Sequence, residues 1–579
     1  MKIRSFVKPF WFTITCIIIF TFGQVIADLL LPNYMADIVD KGIAQNNTAL
    51  ILRMGGIMLG VSLGGMICSA IAGFLAARTS LGIARNLRKA IFEHITQFSL
   101  SEFDRIGTAS LITRTTNDVQ QIQTTTFTML RMMLRAPTIC IGGIVMAIQK
   151  NVELSLLLLA MLPFIAGLIY LVTAKAVPLF RVIQQKLDAL NLILRENLTG
   201  IRIIRAFSRL GFERKKFSAA NDDLTLTSVR ANRIMAFLNP GMVLCMNVLT
   251  IAIVWVASYR IDRASLTVGD MMAFIQYAMQ IFMALTSITM LFVVLPRAFI
   301  SAERIREVFD LKDNIQDPQQ PVSLENCRGA ICFNHVSFRY DNAENCVVDD
   351  VSFTANPGET LAIIGGTGSG KTSLINLIPR FHDTESGSIE IDGVDIRQMR
   401  MEELRAIIGI VPQKTTLFSG TVAENVGIGK QNADLQEIKE ACRIAQADEF
   451  IEFLPQKYDT EIAQGGANLS GGQKQRLSIA RAILKKPKIY IFDDSFSALD
   501  FKTDAAVRNE LIKETREATV IIVAQRITSI SYADNIIVME NGRIAGRGTH
   551  EELLRSNKVY QEIVASQTAE DETGNKEDE

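Results

Sequence analysis

Residues 1–308 are written in long apolar blocks. Blocks near 11–31, 51–77, 132–149, 154–174, 239–258 and 270–295 approach or exceed the roughly 20 residues that cross a bilayer as a helix. The pattern predicts six spanning helices. Three of the polar runs between them are short: "PNYMADIVDKGIAQNNTA", "QKNVE" and "YRIDRASLTVG". The other two, about 78–131 and 175–232, are long. They keep apolar residues at helical spacing, as in "LGIARNLRKAIFEHITQF" and "FRVIQQKLDALNLILRENL". The simplest arrangement has spanning helices that continue past the bilayer and turn back beyond it.

The period changes after the polar, Pro-broken stretch 309–328, which reads as a linker. Residues 329–565 alternate short apolar runs with Gly-rich turns and amphipathic segments, the pattern of a soluble α/β domain. Residues 566–579 are acidic and read as a disordered tail. The expected fold class is an all-α polytopic membrane domain joined to an α/β domain.

Composition adds little beyond this. Apolar residues make up 49% of the chain and mean hydropathy is positive, in line with a membrane-embedded part. The 60 basic and 60 acidic residues cancel, so no excess charge draws the chain to nucleic acid. Eight scattered cysteines lack metal-ligand spacing, which suits reduced thiols facing a cytosol. Cys327 and Cys332 flank a strand start and read as structural.

Charge placement matters more. Lys2, Arg4 and Lys8 precede the first block, and Arg78, Arg85, Arg88, Lys89, Arg105 and Arg114 fill the second connection. Both point to the cytoplasmic side, which places the N-terminus and, after six crossings, the soluble domain in the cytoplasm. The first block is too long for a signal peptide and no small-residue cleavage site follows it. Asp28 reads as lying near the outer end of the first block, reaching the interface; Arg131 and Arg135 read as the inner end of the third.

The chemistry concentrates in the second half. "TLAIIGGTGSGKTSLINLIPRF" reads strand, Gly-rich turn, helix, with Gly365, Gly366, Thr367, Gly368, Ser369, Gly370, Lys371, Thr372 and Ser373 in the turn and first helical residues. Glycines let backbone N–H groups wrap phosphates, and the helix N-terminus adds partial positive charge. Lys371 suits the outer phosphates and the Thr372 hydroxyl suits Mg²⁺. Two apolar runs, "KIYIFDD" and "TVIIVAQR", read as neighbouring parallel strands. The first ends at Asp493 and Asp494, which places Asp493 at the carboxyl end of the sheet to hold Mg²⁺.

"NLSGGQKQRLSIARAIL" supplies a second glycine-led helix start at Leu469, Ser470, Gly471, Gly472 and Gln473. With the P-loop upstream, this stretch resembles the ABC transporter ATPase family, whose signature is LSGGQ. Six spans followed by one such domain resemble a bacterial ABC exporter half-transporter, most like the multidrug exporters built from two different subunits. The resemblance implies ATP and Mg²⁺ as cofactors, with Tyr340 stacking on adenine. It also implies that Gln413 senses Mg²⁺ and the membrane domain, that Asp500 sits in the loop between sites, and that 108–118 and 206–217 dock on ATPase domains. It implies a dimer as well, because the family closes each ATP between one subunit's P-loop and the other's signature.

Two family residues differ on the P-loop side. The base position is Asp494 rather than glutamate, and the switch position is Gln525 rather than histidine; His94, His335, His382 and His550 all lie elsewhere. Gln464 also stands where exporters often have glutamate. The expectation is therefore one weak ATP site here and one competent site on a second half-transporter, together exporting hydrophobic or amphipathic small molecules. Alternatives are a homodimeric lipid flippase, or an ATP-gated channel or regulatory subunit.

Overall fold

The computed structural model describes residues 3–263, 265–311, 315–324, 326–340 and 343–574. It divides into two units, one of Met1–Thr96 and Thr108–Leu311, the other of Gln97–Gly107 and Lys312–Glu579.

The first unit is all helical. Six helices are long and apolar enough to cross a membrane: Lys8–Ile43, Thr48–Ile95, Thr108–Lys150, Val152–Thr199, Leu210–Asp262 and Val268–Ile288. The second and fourth run 48 residues each. At 1.5 Å per residue that is about 72 Å, more than twice the hydrocarbon thickness. The long amphipathic connections of the sequence are therefore continuous extensions of the spans.

One polar contact between these helices follows from a proline. Pro32 lies inside the first helix. It has no N–H, so the carbonyl four residues back, that of Asp28, loses its helical donor. Gln280 of the sixth helix donates to that carbonyl at 3.0 Å, and Tyr277 donates to the Leu29 carbonyl at 3.0 Å. The Asp28 carboxylate meets Arg135 of the third helix at 3.2 Å. This overturns the placing of Asp28 and Arg135 at opposite ends of their spans. Each stands fifteen residues before its helix's last residue, Ile43 and Lys150, so the two lie at one level. Block edges misled because the third helix starts well before its most apolar stretch. Gln280→Leu leaves the Asp28 carbonyl unpaired, and the thermal unfolding midpoint of the purified chain falls, at a cost of about 1–3 kcal/mol.

The second unit holds the sheets. Its strands are β1 (Ile331–Phe338), β2 (Val348–Ala355), β3 (Thr360–Gly365), β4 (Ser386–Ile391), β5 (Val394–Asp395), β6 (Ile408–Val411), β7 (Gly420–Thr421), β8 (Glu461–Ile462), β9 (Ile489–Asp493), β10 (Thr519–Val523), β11 (Asn535–Glu540) and β12 (Arg543–Gly548). Six form one sheet in the order β12-β11-β3-β10-β9-β6, four form an antiparallel sheet β2-β1-β4-β5, and β7 pairs with β8. From β11 to β6 the large sheet is parallel. β9 and β10 are buried at every position, which explains their unbroken apolar sequence.

The expected linker is docked rather than loose. Ile315 is buried, Met401 N–H donates to the Asp317 carboxylate at 2.8 Å, and Val322 N–H donates to the Gln398 carbonyl at 2.8 Å. The tail expected to be disordered from 566 is helical as far as Gly574, and residues 575–579 lie outside the described residues. That helix starts at Lys558 and packs Tyr560, Ile563 and Val564 against the core, so its hydrogen-bond ladder is nucleated before the acidic residues begin.

Candidate nucleotide site

The site gathers at the carboxyl ends of β3, β9 and β10. β10 lies between the other two, with Val523 level with Ile363 on one side and Asp493 on the other. The chain leaves β3 through the glycine turn and enters a helix, Lys371–Leu377, with Gly370 as its cap at φ +96°. A side chain at Gly365 would lie 2.2 Å from the Met539 carbonyl, and one at Gly370 would lie 2.4 Å from that of Val347. Those two glycines are required by the surrounding backbone. Gly366 and Gly368 instead face open space within 4 Å, a cradle that only a missing Cβ leaves free.

Lys371 Nζ donates to the Gly365 and Gly366 carbonyls at 2.8 Å each. Burial lowers its pKa, opposed by Asp493 and Asp494. Thr372 Oγ1 donates to Asp493 Oδ1 at 3.2 Å. Burial raises the Asp493 pKa, opposed by the Thr372 hydrogen bond. A hydroxyl and a buried carboxylate side by side form the hard oxygen donor set that suits Mg²⁺. Thr372 and Asp493 would hold Mg²⁺ there, and the ion would supply positive charge against the phosphates.

Asp494 has a different environment. It sits just past β9 at φ +48°, in the left-handed region, where aspartate is among the better-tolerated residues. Its carboxylate oxygen Oδ2 accepts from Gln413 Nε2 and from Gln525 Nε2, each at 3.1 Å. Three residues far apart in sequence thus meet on one oxygen.

Tyr340 is anchored to the P-loop helix, its hydroxyl 3.0 Å from Ser373 Oγ. Phe338 and His382 both pack edge-on against it, with ring centroids 4.8 and 5.4 Å from the Tyr340 ring. Sequence reading named His382 only as lying away from the switch position, since it carries no motif. It passed over Ser495, buried and donating to the Val411 carbonyl at 2.9 Å, which ties the end of β6 to the turn after β9. Gln567 was missed too. From the last helix its side chain donates to the Gln525 carbonyl at 2.6 Å and accepts from Ile527 N–H at 2.9 Å.

Residues 14–285 match the ABC transporter transmembrane region family, and residues 348–497 match the ABC transporter family. An uncharacterized ABC transporter ATP-binding protein of Mycobacterium tuberculosis is 42% identical over 570 residues, 98% of each chain. A Bacillus subtilis protein named as a putative multidrug export ATP-binding/permease protein is 32% identical over 98% of this chain and 99% of its own. A solved bacterial Atm1-family ABC exporter with ATP bound superposes with a TM-score of 0.79 at 26% identity, covering 98% of this chain and 100% of that one. The chain belongs to the ABC transporter family.

It is an ABC exporter half-transporter, a membrane domain fused to an ATPase domain. Its ATPase domain couples ATP hydrolysis to transport, and exporters of this kind act as dimers in the membrane. The exporter's LSGGQ segment opens a second helix, Gly471–Lys485. Leu469 is buried as an anchor, while Ser470 and Gly471 are exposed. Ser470 caps the helix by accepting from Gln473 N–H, and Gln473 returns a bond to Ser470 N–H. Among the described residues no hydrogen bond or ion pair joins this segment to the P-loop of the same exporter chain. Asp500 likewise caps a helix, Phe501–Glu514, accepting from Thr503 N–H at 3.0 Å. Gln464 lies in an exposed turn before the signature.

Proposed function

We propose that this chain is the weak-site subunit of a two-subunit, ATP-driven multidrug-type exporter of hydrophobic or amphipathic compounds. The observation that carries the reading is the shared oxygen of Asp494, held by two amides at 3.1 Å. A carboxylate that is to take a proton from water needs a free oxygen and a partner that can shuttle charge. Here the carboxylate is one methylene shorter than the family's glutamate and is tied back by two side chains. Neither amide exchanges a proton near neutral pH. The P-loop, Lys371 and the Thr372–Asp493 pair remain intact to bind MgATP. The exposed signature completes the competent site of a second half-transporter, and the ATPase domain works on the cytoplasmic side of a bacterial membrane.

The test compares the purified chain, alone and with any second half-transporter found encoded beside it, for ATP turnover and drug uptake into inverted vesicles. Turnover by the chain alone is expected to be at least about 10-fold below that of the pair. A stable homodimer turning over as fast as the pair would overturn the proposal, and uptake without a gradient would favour a channel. Within the pair, Lys371→Ala is expected to slow transport less than the matching change in the partner.

A further inference from the structure

A cavity of about 520 Å³ opens beside the first two spanning helices, with Leu31, Met66 and Phe74 on its apolar side and Asp28, Ser69 and Arg131 on its polar side. Its charges do not cancel. Asp28 is paired with Arg135 at 3.2 Å. Arg131 has no carboxylate within 4.0 Å among the described residues; its guanidinium stands over the Phe127 ring, 5.9 Å from the centroid. A ring engages the face of a guanidinium and leaves the in-plane N–H donors to find acceptors elsewhere. Arg131 lies within the third spanning helix, where an arginine without a carboxylate partner is by default a functional candidate.

Two further features single out this arginine. It lies in a π turn, Met129–Met133, between two α-helical stretches of the third span, and such turns concentrate at functional sites. Gly73 of the second helix faces it: a Cβ at Gly73 would stand in ordinary contact with Arg131 Cζ, at 3.9 Å. The cavity wall thus joins an apolar surface to one uncompensated cation.

We propose that this cavity binds the anionic head of an amphipathic ligand, a carboxylate or phosphate on an apolar body, through Arg131. The anion takes two parallel N–H donors of the guanidinium, and the body lies along Leu31, Met66 and Phe74. A cation is repelled, and a neutral head leaves Arg131 unpaired, which sets the order of preference. The site rests on the exporter reading only in so far as the ligand is also cargo.

The probe is a dansyl-labelled undecanoate, with its trimethylammonium analogue as the cationic control. Each is titrated by fluorescence into the full chain in nanodiscs of zwitterionic lipid. The carboxylate is expected to bind at least about 10-fold more tightly than the cation. Arg131→Ala should remove that preference and Arg131→Lys should keep part of it. Gly73→Leu fills the cavity and crowds Arg131 without removing its charge, and should weaken the probe to a similar degree, which decides the matter if Arg131→Ala does not fold. Equal binding by wild type and either cavity variant, or tighter binding of the cation, overturns the proposal. Nanodiscs containing phosphatidylglycerol separate the two sources of the anion. Arg131-dependent competition there assigns the site to a lipid head group, and its absence assigns it to a free amphiphile. ATP-driven uptake of the probe is scored separately. Binding without uptake leaves the site standing and removes this ligand as cargo, whereas uptake of other compounds without Arg131-dependent binding removes the site alone.

Discussion

Replacing Asp494 by glutamate and Gln525 by histidine together is expected to raise ATP turnover at this P-loop by about 100-fold. The added methylene moves the carboxylate forward by about 1 Å, and a misplacement of that size is worth roughly 10²-fold in rate. The histidine replaces one of the two amides that now hold Asp494 Oδ2 and brings a ring that titrates near neutral pH. Each change alone is expected to give less, because the other amide or the short carboxylate remains. The backbone at φ +48° sets a modest cost for glutamate, which tolerates the left-handed region less well than aspartate. The doubly substituted chain carries both a P-loop and an intact signature, so it can be assayed alone in nanodiscs as well as beside its partner. A change below about twofold in both preparations would sink the weak-site reading.

The second large effect runs in the opposite direction. Gly471→Asp is expected to lower turnover of the two-subunit exporter by at least about 100-fold while leaving nucleotide binding at this chain's own P-loop in place. A Cβ at Gly471 meets nothing within 4 Å, so the substitution does not disturb this subunit's packing. Gly472 is less clean, since its Cβ would lie 3.1 Å from the Ala498 carbonyl. The new carboxylate instead stands at an exposed helix start that the proposed function sets against a partner's phosphates, and removing such stabilisation costs on the order of 10²–10³ in rate. Photolabelling with an azido-ATP analogue reads the two P-loops separately. Loss of label from this chain, with turnover unchanged, would mean that the signature does not serve a partner.

Much of the fold was legible because its signals are local. Six apolar blocks, amphipathic extensions and the strand–glycine–helix pattern at 360–377 each sit within one stretch of chain. What escaped depended on contacts between distant residues. Asp28 and Arg135 pair across 107 positions, and no periodicity in either block reports that. The meeting of Gln413 and Gln525 on Asp494 follows from the parallel register of β6, β9 and β10, which sequence suggests but does not set. The acidic tail was misjudged because composition argues against helix formation, whereas Tyr560 and its neighbours on the preceding turns supply a core contact that composition does not count.

Gln567 gives this last helix a bearing on how the protein is handled at the bench. Its side chain brackets the backbone from Gln525 to Ile527, yet it lies 70 residues past the family-matched segment that ends at 497. A nucleotide domain excised at the end of the last strand, Gly548, would keep every recognised motif and still lose the pin on its switch segment. Its kinetics would then describe a looser switch than the intact subunit has. Excision boundaries drawn beyond Gln567 avoid that artefact.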